Sequence, residues 1–284
     1  MARKPFEELS FADDGMFQAV MKNPEASAEL VERLLGVSVK GVKYPKLEKK
    51  IAPYYATKGV RLDVYLKDED KIIDVELQTY EMDALGKRTR YYQSMVDIDS
   101  LMKGEDYTEL KDSYILFICK FDPFRDENKR PCGLYRYTFR NVCAENSLVN
   151  LDDKCLKVVY NASAYEKPED PKVRALLRFI QTNDPGEDTF AKQLEYFVLK
   201  ARQNEKFRRE YLAMNLRDRD MMKIGEKEGL VKGMAAGIAQ GMQRKALEDA
   251  RSFYANGASI ELIAKSLGMT VEQVKDIVTA PAQA

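Results

Sequence analysis

Asp63 and Glu76 are the two side chains whose positions in this sequence most clearly suggest chemistry. They lie in residues 59–67 and 71–78, two segments in which apolar and polar residues alternate, as they do in half-buried β-strands. If the segments pair as an antiparallel hairpin with its turn centred just after Glu69, Asp63 faces Glu76. Facing carboxylates repel each other, and a hard divalent cation relieves that repulsion. Bound Mg²⁺ (or Mn²⁺) would activate a water and stabilise charge on a phosphodiester.

The same register places Arg61 opposite Gln78 and Tyr65 opposite Asp74. Because side chains alternate along a strand, these four residues share one face with the two carboxylates. Gln78 would then point at the same site and orient the attacking water. The other face can pack against a core, since it carries Leu62, Val64, Leu66, Ile73, Val75 and Leu77. An ordinary amphipathic hairpin with a solvated polar face has the same pattern, so the spacing alone leaves that alternative open.

The absence of histidine narrows the possible chemistry further. It excludes Ser-His-Asp and Cys-His hydrolases, zinc sites with histidine ligands, and nucleases that use a histidine as general base. An enzyme with this composition relies on carboxylates, lysine, tyrosine or a hard metal ion. Lys+Arg and Asp+Glu number 46 each, so any surface that binds nucleic acid must be a local one.

The cysteines and the apolar runs indicate a cytoplasmic protein. The four cysteines form no Cys-x-x-Cys pair, and Cys119 lies inside the apolar run 114–119, so we expect reduced, structural thiols. No apolar run approaches the roughly 18 residues of a membrane span. The N-terminal segment has a basic start but lacks the apolar stretch of a secretory signal.

Helical and strand-like periodicity alternate along the first part of the chain. Residues 14–36 and 81–103 predict helices, and residues 37–50 read as a mixed connection. The continuous apolar run 114–119 is typical of a buried central strand. Further strands are predicted at 134–139 and 157–160, and further helices at 171–182, 187–203 and 205–223.

The changes in pattern predict four regions. We expect an α/β core over 1–165, a helical extension over 166–223, a Gly-rich helix or linker over 224–256 and a helix-turn-helix-like module over 257–284. In the third region Gly225, Gly229, Gly233, Gly237 and Gly241 recur every four residues. Glycines in a helix are unfavourable by about 1 kcal/mol each relative to alanine, so an oligomerising helix and a flexible linker both remain open.

Five short motifs, in order, resemble a known family. The hairpin carries Asp63 followed by Glu76-Leu-Gln78, which resembles the D…ExQ signature of the recombination-promoting nuclease (Rpn) and PD-(D/E)XK nuclease family transposases. Residues 14–17 are similar to that family's first helix, and residues 87–92 to its basic and aromatic helix. Residues 104–107 and 114–118 are similar to its next loop and strand. The resemblance covers roughly residues 10–225 and extends to the Gly-rich tail.

The resemblance implies a fold and a set of site residues. It implies a restriction-endonuclease-like mixed sheet flanked by helices, followed by an all-helical C-terminal extension. Asp63 and Glu76 correspond to the family's metal ligands, and Gln78 occupies the position of the lysine in the broader signature. Because glutamine carries no charge, Lys58 or Arg61 is a candidate for the missing cation. Asp14 is the expected acid from the first helix, with Asp13, Glu29 and Glu48 as alternatives.

Two further segments are candidates for DNA contacts. Lys87, Arg88, Arg90, Tyr91 and Tyr92 follow the ExQ strand, where cationic side chains meet phosphates; a solvated helix face is the alternative. Residues 259–278 have the spacing of a helix-turn-helix, with Ala264, Gly268 and Val274 at its packed positions. Lys275 would then lie near the start of the recognition helix. A module that binds protein has the same packing.

The sequence thus predicts a Mg²⁺-dependent endonuclease that hydrolyses double-stranded DNA in recombination or transposition. A homo-oligomer through the Gly-rich helix is one expected assembly. The first rival is a DNA-binding or scaffolding protein on an inactive nuclease fold, which Gln78 and the net charge of zero favour. The second rival is a transposase of another fold with three acids, which the short spacing between Asp63 and Glu76 disfavours.

Overall fold

The computed structural model describes residues 4–39, 45–51, 59–81 and 83–279, leaving aside the side chains of 14, 47, 48 and 214–228. The chain divides into two compact units, Met1–Leu212 and Ala213–Ala284. The four-region division expected from the sequence stays a prediction. Among the described helices, none combines the length and the apolar character that crossing a bilayer requires.

The first unit is built on a mixed six-stranded sheet with the strand order β1-β2-β3-β4-β6-β5. Strands β1 to β3 form an antiparallel meander, β3, β4 and β6 run parallel, and β5 pairs antiparallel with β6. The strands are β1 Lys46–Ile51, β2 Val60–Lys67, β3 Lys71–Gln78, β4 Asp112–Cys119, β5 Arg136–Phe139 and β6 Cys155–Asn161. The α/β fold class predicted from the sequence, a mixed sheet with helical flanks and a helical C-terminal part, is confirmed.

Five α-helices lie wholly within the described part of the first unit, and local sequence signals set the ends of several of them. At the start of α2, for example, the Asn23 side chain accepts hydrogen bonds from the backbone N–H groups of Glu25 and Ala26, and the helix ends at Gly36 with a φ of 68°, a conformation that glycine adopts readily. The helices are α1 Asp14–Met21, α2 Pro24–Leu35, α3 Leu85–Ser100, α4 Pro171–Thr182 and α5 Thr189–Arg202.

The sheet separates two apolar cores. On one side Val75 of β3 and Leu116 of β4 pack with residues of α1, α2, α4 and α5. On the other side Ile72 of β3 and Phe117 of β4 pack with Tyr92, Met95 and Val96 of α3. Strand β3 is therefore covered on both faces, which explains why nearly all its side chains are buried.

The β2–β3 hairpin has the predicted register, with one departure from strict alternation. Val64 pairs with Val75 and Tyr65 pairs with Asp74, as a turn centred just after Glu69 requires. The prediction that Leu62 shares a face with Val64 is wrong, because Leu62 packs in the core under α3 together with Tyr65, whereas Val64 packs in the opposite core. The alternation of faces therefore breaks at Asp63, between these two core residues.

Strand β1 was not predicted. Its sequence, KLEKKI, is mostly charged and falls in the segment expected to be a mixed connection. The pairing of Lys49 with Leu62 and of Ile51 with Val60 extends the hairpin to a third strand. Charged residues are tolerated there because β1 is an edge strand of the sheet, and charge on an edge discourages pairing with other chains.

The second unit is helical. Helix α6 runs over Glu205–Ala255, and its part from Ala213 onward, which includes the Gly-rich segment, belongs to this unit. It is followed by α7 Ile260–Leu267 and α8 Val271–Thr279. Within the second unit, Ala250 of α6, Ile263 and Ala264 of α7 and Val274 of α8 form a small buried cluster.

Candidate active site

The candidate site begins where strands β2 and β3 stop pairing. The backbone pairing of the two strands ends at Val64 and Val75. One position further on, the backbone N–H of Asp63 donates a hydrogen bond to Oε1 of Glu76 over 2.9 Å. The carboxylate of Glu76 therefore reaches the neighbouring strand and contacts the backbone of Asp63.

Burial disfavours the ionised forms of the two acids of β3, Asp74 and Glu76. Glu76 is 1% exposed and Asp74 is 0% exposed. Burial, and after it the charge of Asp63, raises the pKa of Asp74 well above its usual value. Burial, followed by the charges of Asp74 and Asp63, also raises the pKa of Glu76, against the hydrogen bond from the Asp63 N–H and the charge of Arg88. The site thus concentrates negative charge that a nearby cation would stabilise.

Asp74 is a buried acid that was not among the predicted site residues. Neither of its carboxylate oxygens has a hydrogen-bond partner in the part of the chain that the structure describes. Buried carboxylates are normally paired, hydrogen-bonded or bound to a metal. The sequence shows an acid two residues before Glu76 and therefore on the same face of β3. It does not show that this acid is buried without hydrogen-bond partners.

Arg88 of α3 is the cation that contacts this group of acids. Its Nη2 donates to Oε2 of Glu76 over 3.0 Å, and its Nη1 donates to Oε1 of Gln78 over 3.2 Å. The guanidinium also donates to the hydroxyl of Tyr92, over 2.7 and 3.0 Å, and lies over the rings of Tyr92 and Phe117. Helix α3 places Arg88 and Tyr92 on one face because they are four residues apart.

The pKa values on α3 reflect this contact. Burial lowers the pKa of Arg88, but Tyr92 and Glu76 outweigh it and the pKa is raised overall. Burial, with a smaller contribution from Glu76, raises the pKa of the Tyr92 hydroxyl to about 12. Arg88 is therefore charged and Tyr92 neutral at any physiological pH.

Asp63 is contacted from the opposite helix layer. The amide Nε2 of Gln18, a residue of α1 that is 7% exposed, donates to Oδ1 of Asp63 over 3.3 Å. Asp14 is the acid that the sequence predicts from this helix. The Asp14 side chain lies outside the described residues, as do the side chain of Glu48 and all of Lys58. Gln18 was missed although it follows Asp14 by one helical turn.

The two remaining alternatives to Asp14 are engaged elsewhere. Asp13 accepts hydrogen bonds from the backbone N–H and the hydroxyl of Ser10, both over 2.7 Å. Glu29 forms an ion pair with Arg33 on α2. Both carboxylates have local partners that account for them.

Two clefts meet at the site. A small cleft of about 220 Å³ is lined by Asp63, Gln78, Arg61 and Arg88, among others. A larger one of about 760 Å³ is lined by residues of α3 and the start of β2, including Lys87, Arg90 and Tyr91, and again by Arg61 and Arg88. Arg61 and Arg88 therefore border both.

The structure brings most of the predicted DNA-contact residues together. Arg61, Arg88, Arg90 and Tyr92 line the larger cleft. Tyr92, however, is 8% exposed and its hydroxyl accepts from Arg88, so little of its ring is available for stacking. Lys275 lies in the second unit, exposed on α8.

The helix-turn-helix-like packing of the second unit follows the predicted positions. Ala264 and Val274 are buried against each other's helices, and Gly268 ends α7 with a φ of 65°. Thr270 begins α8 with a reciprocal pair of bonds, in which Gln273 N–H donates to the Thr270 hydroxyl and Thr270 N–H donates to the Gln273 side chain. This capping box fixes the start of α8.

The donor atoms of the site suit a hard cation. Asp63, Asp74, Glu76 and Gln78 offer carboxylate and amide oxygens, the ligands that Mg²⁺ and Mn²⁺ prefer, and the Asp74 oxygens lack partners among the described residues. Within the described ranges, no three His, Cys, Asp or Glu side chains converge as an ion-binding group. A metal at this site would therefore have at most two of these carboxylates as ligands.

Comparison with known proteins gives one match. Residues 16–141 match the model of the family described as PD-(D/E)XK nuclease family transposase. This range contains most of α1, all of α2 and α3, and the β2–β3 hairpin with its acids. The family predicted from the motifs is confirmed over these residues. No curated protein and no solved structure matches the chain significantly.

Proposed function

Because residues 16–141 match the model of the PD-(D/E)XK nuclease family transposases, we propose that the protein is a metal-dependent DNA endonuclease. It hydrolyses phosphodiester bonds of double-stranded DNA, and it acts in recombination or transposition. The observation that carries this proposal is the hydrogen bond from the Asp63 backbone to the Glu76 carboxylate. That contact holds the two acids of the D…ExQ signature at the edge of a cleft bordered by arginines.

The acids would hold the metal with few other protein ligands. Asp63 and Glu76 would bind Mg²⁺ (or Mn²⁺), while water and phosphate oxygens complete the shell, as is usual for Mg²⁺. When bound, such an ion lowers the pKa of a water and neutralises charge on the phosphate. Gln18 orients the Asp63 carboxylate through its amide, and Asp63 N–H and Arg88 fix the two oxygens of Glu76.

The polar groups around the acids would bind and orient the substrate. Arg61, Lys87 and Arg90 line the larger cleft and would neutralise the DNA backbone, which is a contact without sequence preference. Gln78 would accept a hydrogen bond from the attacking water or donate one to a phosphate oxygen. Little sequence selectivity is expected, since these contacts are to phosphate.

One observation favours a second function, an inactive nuclease fold that binds DNA or serves as a scaffold. Glu76 is already paired with Arg88, and Gln78 occupies the signature's lysine position. An ion pair between Arg88 and Glu76 satisfies the buried acid without a metal. Metal titration distinguishes the two functions, because an inactive scaffold would bind neither Mg²⁺ nor Mn²⁺ at the hairpin.

The proposal is tested by nicking of supercoiled plasmid with and without Mg²⁺ or Mn²⁺. The wild-type protein should cleave only with the metal, and Asp63→Asn should lose cleavage while keeping its fold by circular dichroism. Asp70→Asn is a matched control, since it removes the same charge from the exposed turn of the same hairpin. Metal-independent cleavage, or full activity in Asp63→Asn, would contradict the proposal.

A further inference from the structure

Position 78 lacks the positive charge that the broader PD-(D/E)XK signature provides there. A lysine at that place stabilises negative charge on the attacking water or hydroxide, which the neutral amide of Gln78 does less well. Gln78 is 8% exposed at the end of β3. If the protein is a nuclease, another side chain has to bring a cation to the end of this strand.

Arg88 reaches this place from α3. Its guanidinium bridges the carboxylate of Glu76 and the amide oxygen of Gln78, and the residue also borders the cleft that Asp63 lines. Among the other cations around the site, Arg61, Lys87 and Arg90 are exposed. The side chain of Arg88 is 25% exposed, so its charge is screened less by water.

The position of Arg88 is fixed on its other side as well. The Tyr92 hydroxyl accepts two hydrogen bonds from it, and the rings of Tyr92 and Phe117 lie 4.9 and 5.4 Å from the guanidinium carbon. Cation–π contacts and two hydrogen bonds to one hydroxyl hold the plane of the group. A long flexible side chain is thereby made into a fixed one, as a catalytic site requires.

We propose that Arg88 is the positioning residue that replaces the signature lysine: it holds Glu76 and Gln78 in place and supplies the missing positive charge from α3. The proposal rests on the nuclease function proposed above. It differs from a role in DNA affinity, because the guanidinium acts on the acids and on the amide that surround the reacting phosphate. A contribution to affinity alone would come from any exposed arginine of the larger cleft.

The test compares Arg88→Gln, Arg88→Lys and the double variant Gln78→Lys/Arg88→Gln with the wild type. The measurements are single-turnover cleavage of DNA, DNA affinity in Ca²⁺, Mn²⁺ affinity by calorimetry and thermal unfolding. Arg88→Gln should lower the maximal cleavage rate by about 100-fold while DNA and Mn²⁺ affinities change less than about 3-fold. Arg88→Lys should retain part of the cleavage rate, because lysine keeps the positive charge. It should not retain all of it, because lysine lacks the planar guanidinium that donates to two acceptors at once.

The double variant separates this role from a structural one. A lysine at 78 returns the charge to the signature position, so the double variant should recover at least about 10-fold of the rate lost in Arg88→Gln. Lys103→Gln, at an exposed position after α3, is the control for loss of one positive charge and should cleave like the wild type.

Several results would overturn the inference. An unchanged maximal rate with weakened DNA affinity would make Arg88 a backbone contact, and no recovery in a folded double variant would make it a structural residue. If the wild type and Arg88→Gln cleave equally well, the role of Arg88 is contradicted but the nuclease function is not. A wild type that does not cleave with either metal would contradict both this role and the nuclease function.

Discussion

The two faces of strand β3 are equally buried, but one carries apolar side chains and the other carries polar and acidic ones. Ile73, Val75 and Leu77 pack against one core, while Asp74, Glu76 and Gln78 lie on the other face, and none of the six is more than 8% exposed. The first face stabilises the sheet through apolar area removed from water. The second places charged groups where charge is unfavourable. Adjacent residues of one strand thus divide stability and chemistry between them.

The difference shows how a fold can carry a destabilising site. The sheet gains enough from the apolar face, and from the apolar neighbours on β4, to hold the acids away from water. Arg88 and the Asp63 N–H satisfy part of their hydrogen-bonding capacity, and the oxygens of Asp74 lack partners among the described residues. Neutral substitutions on the polar face should therefore lower the activity of the protein but not its stability. Substitutions on the apolar face should lower its stability but not its activity.

The largest effect is expected from the polar face. Glu76→Gln removes one charge without changing the shape of the side chain, and it should lower Mg²⁺-dependent cleavage on the order of 1,000-fold. The free energy of unfolding without metal should stay the same or rise, because a neutral amide is easier to bury than a carboxylate. Cleavage kinetics and urea unfolding measure the two quantities, and a folded Glu76→Gln protein with wild-type cleavage would remove Glu76 from the site.

The matching change on the apolar face is Ile73→Ala. It leaves a cavity in the core that α1 and α2 cover, and it should lower the free energy of unfolding by about 2–5 kcal/mol. Well below its melting temperature, the variant should cleave within about 3-fold of the wild type. A loss of activity as large as that of Glu76→Gln, measured on folded protein, would show that the two faces are not separate in function.

A third prediction concerns pH. Since the pKa of Asp74 is raised in the folded protein, the folded state binds more protons than the unfolded state between the usual carboxyl pKa and the raised one. Stability is then highest below the usual pKa and falls as the pH rises through that window. Asp74→Asn should reduce this fall, so its stability relative to the wild type should increase from pH 4 to pH 8.

Thermal unfolding of both proteins between pH 4 and pH 8 in metal-free buffer checks this prediction. Burial also raises the pKa of Glu76, so part of the dependence of stability on pH should persist in Asp74→Asn. Identical profiles of stability against pH for the two proteins would mean that Asp74 does not contribute to this pH dependence.

The smallest effect is expected from the metal itself. At pH 8, Mg²⁺ at several times its dissociation constant should stabilise the folded protein by about 1 kcal/mol, because it binds the acids of the folded state. The shift in melting temperature should be smaller in Asp63→Asn and unchanged in Asp70→Asn. Equal shifts in all three proteins would indicate general salt effects and not a site on the hairpin.

The sequence was informative wherever local periodicity decides the structure. The alternation in β2 and β3 predicts their pairing in the register observed, and it brings Asp63 next to Glu76. The apolar run of β4 predicts its central place in the sheet. These features depend on side-chain spacing along single strands, which a sequence displays directly.

What the sequence did not predict depends on contacts between elements. The charged strand β1 is stabilised by its pairing with β2, and no periodicity within KLEKKI indicates that partner. The contacts of Arg88 with Glu76 and Gln78 were not predicted, because the residues of α3 do not reveal the direction in which the helix packs on the sheet. The break in alternation at Asp63 and the approach of Gln18 likewise follow from how α1 and β3 meet β2.

The small cluster at the end of the chain limits how the C-terminal helices can be separated from the rest. Ala250 is 0% exposed against Ile263, Ala264 and Val274, and Arg251 donates a hydrogen bond to the carbonyl of Ile277. The last turns of α6 therefore form one wall of this miniature core. A fragment that begins at residue 257, the predicted start of the helix-turn-helix-like module, would lack these turns of α6 and expose the apolar sides of α7 and α8. A fragment intended for binding studies has to begin upstream of Ala250.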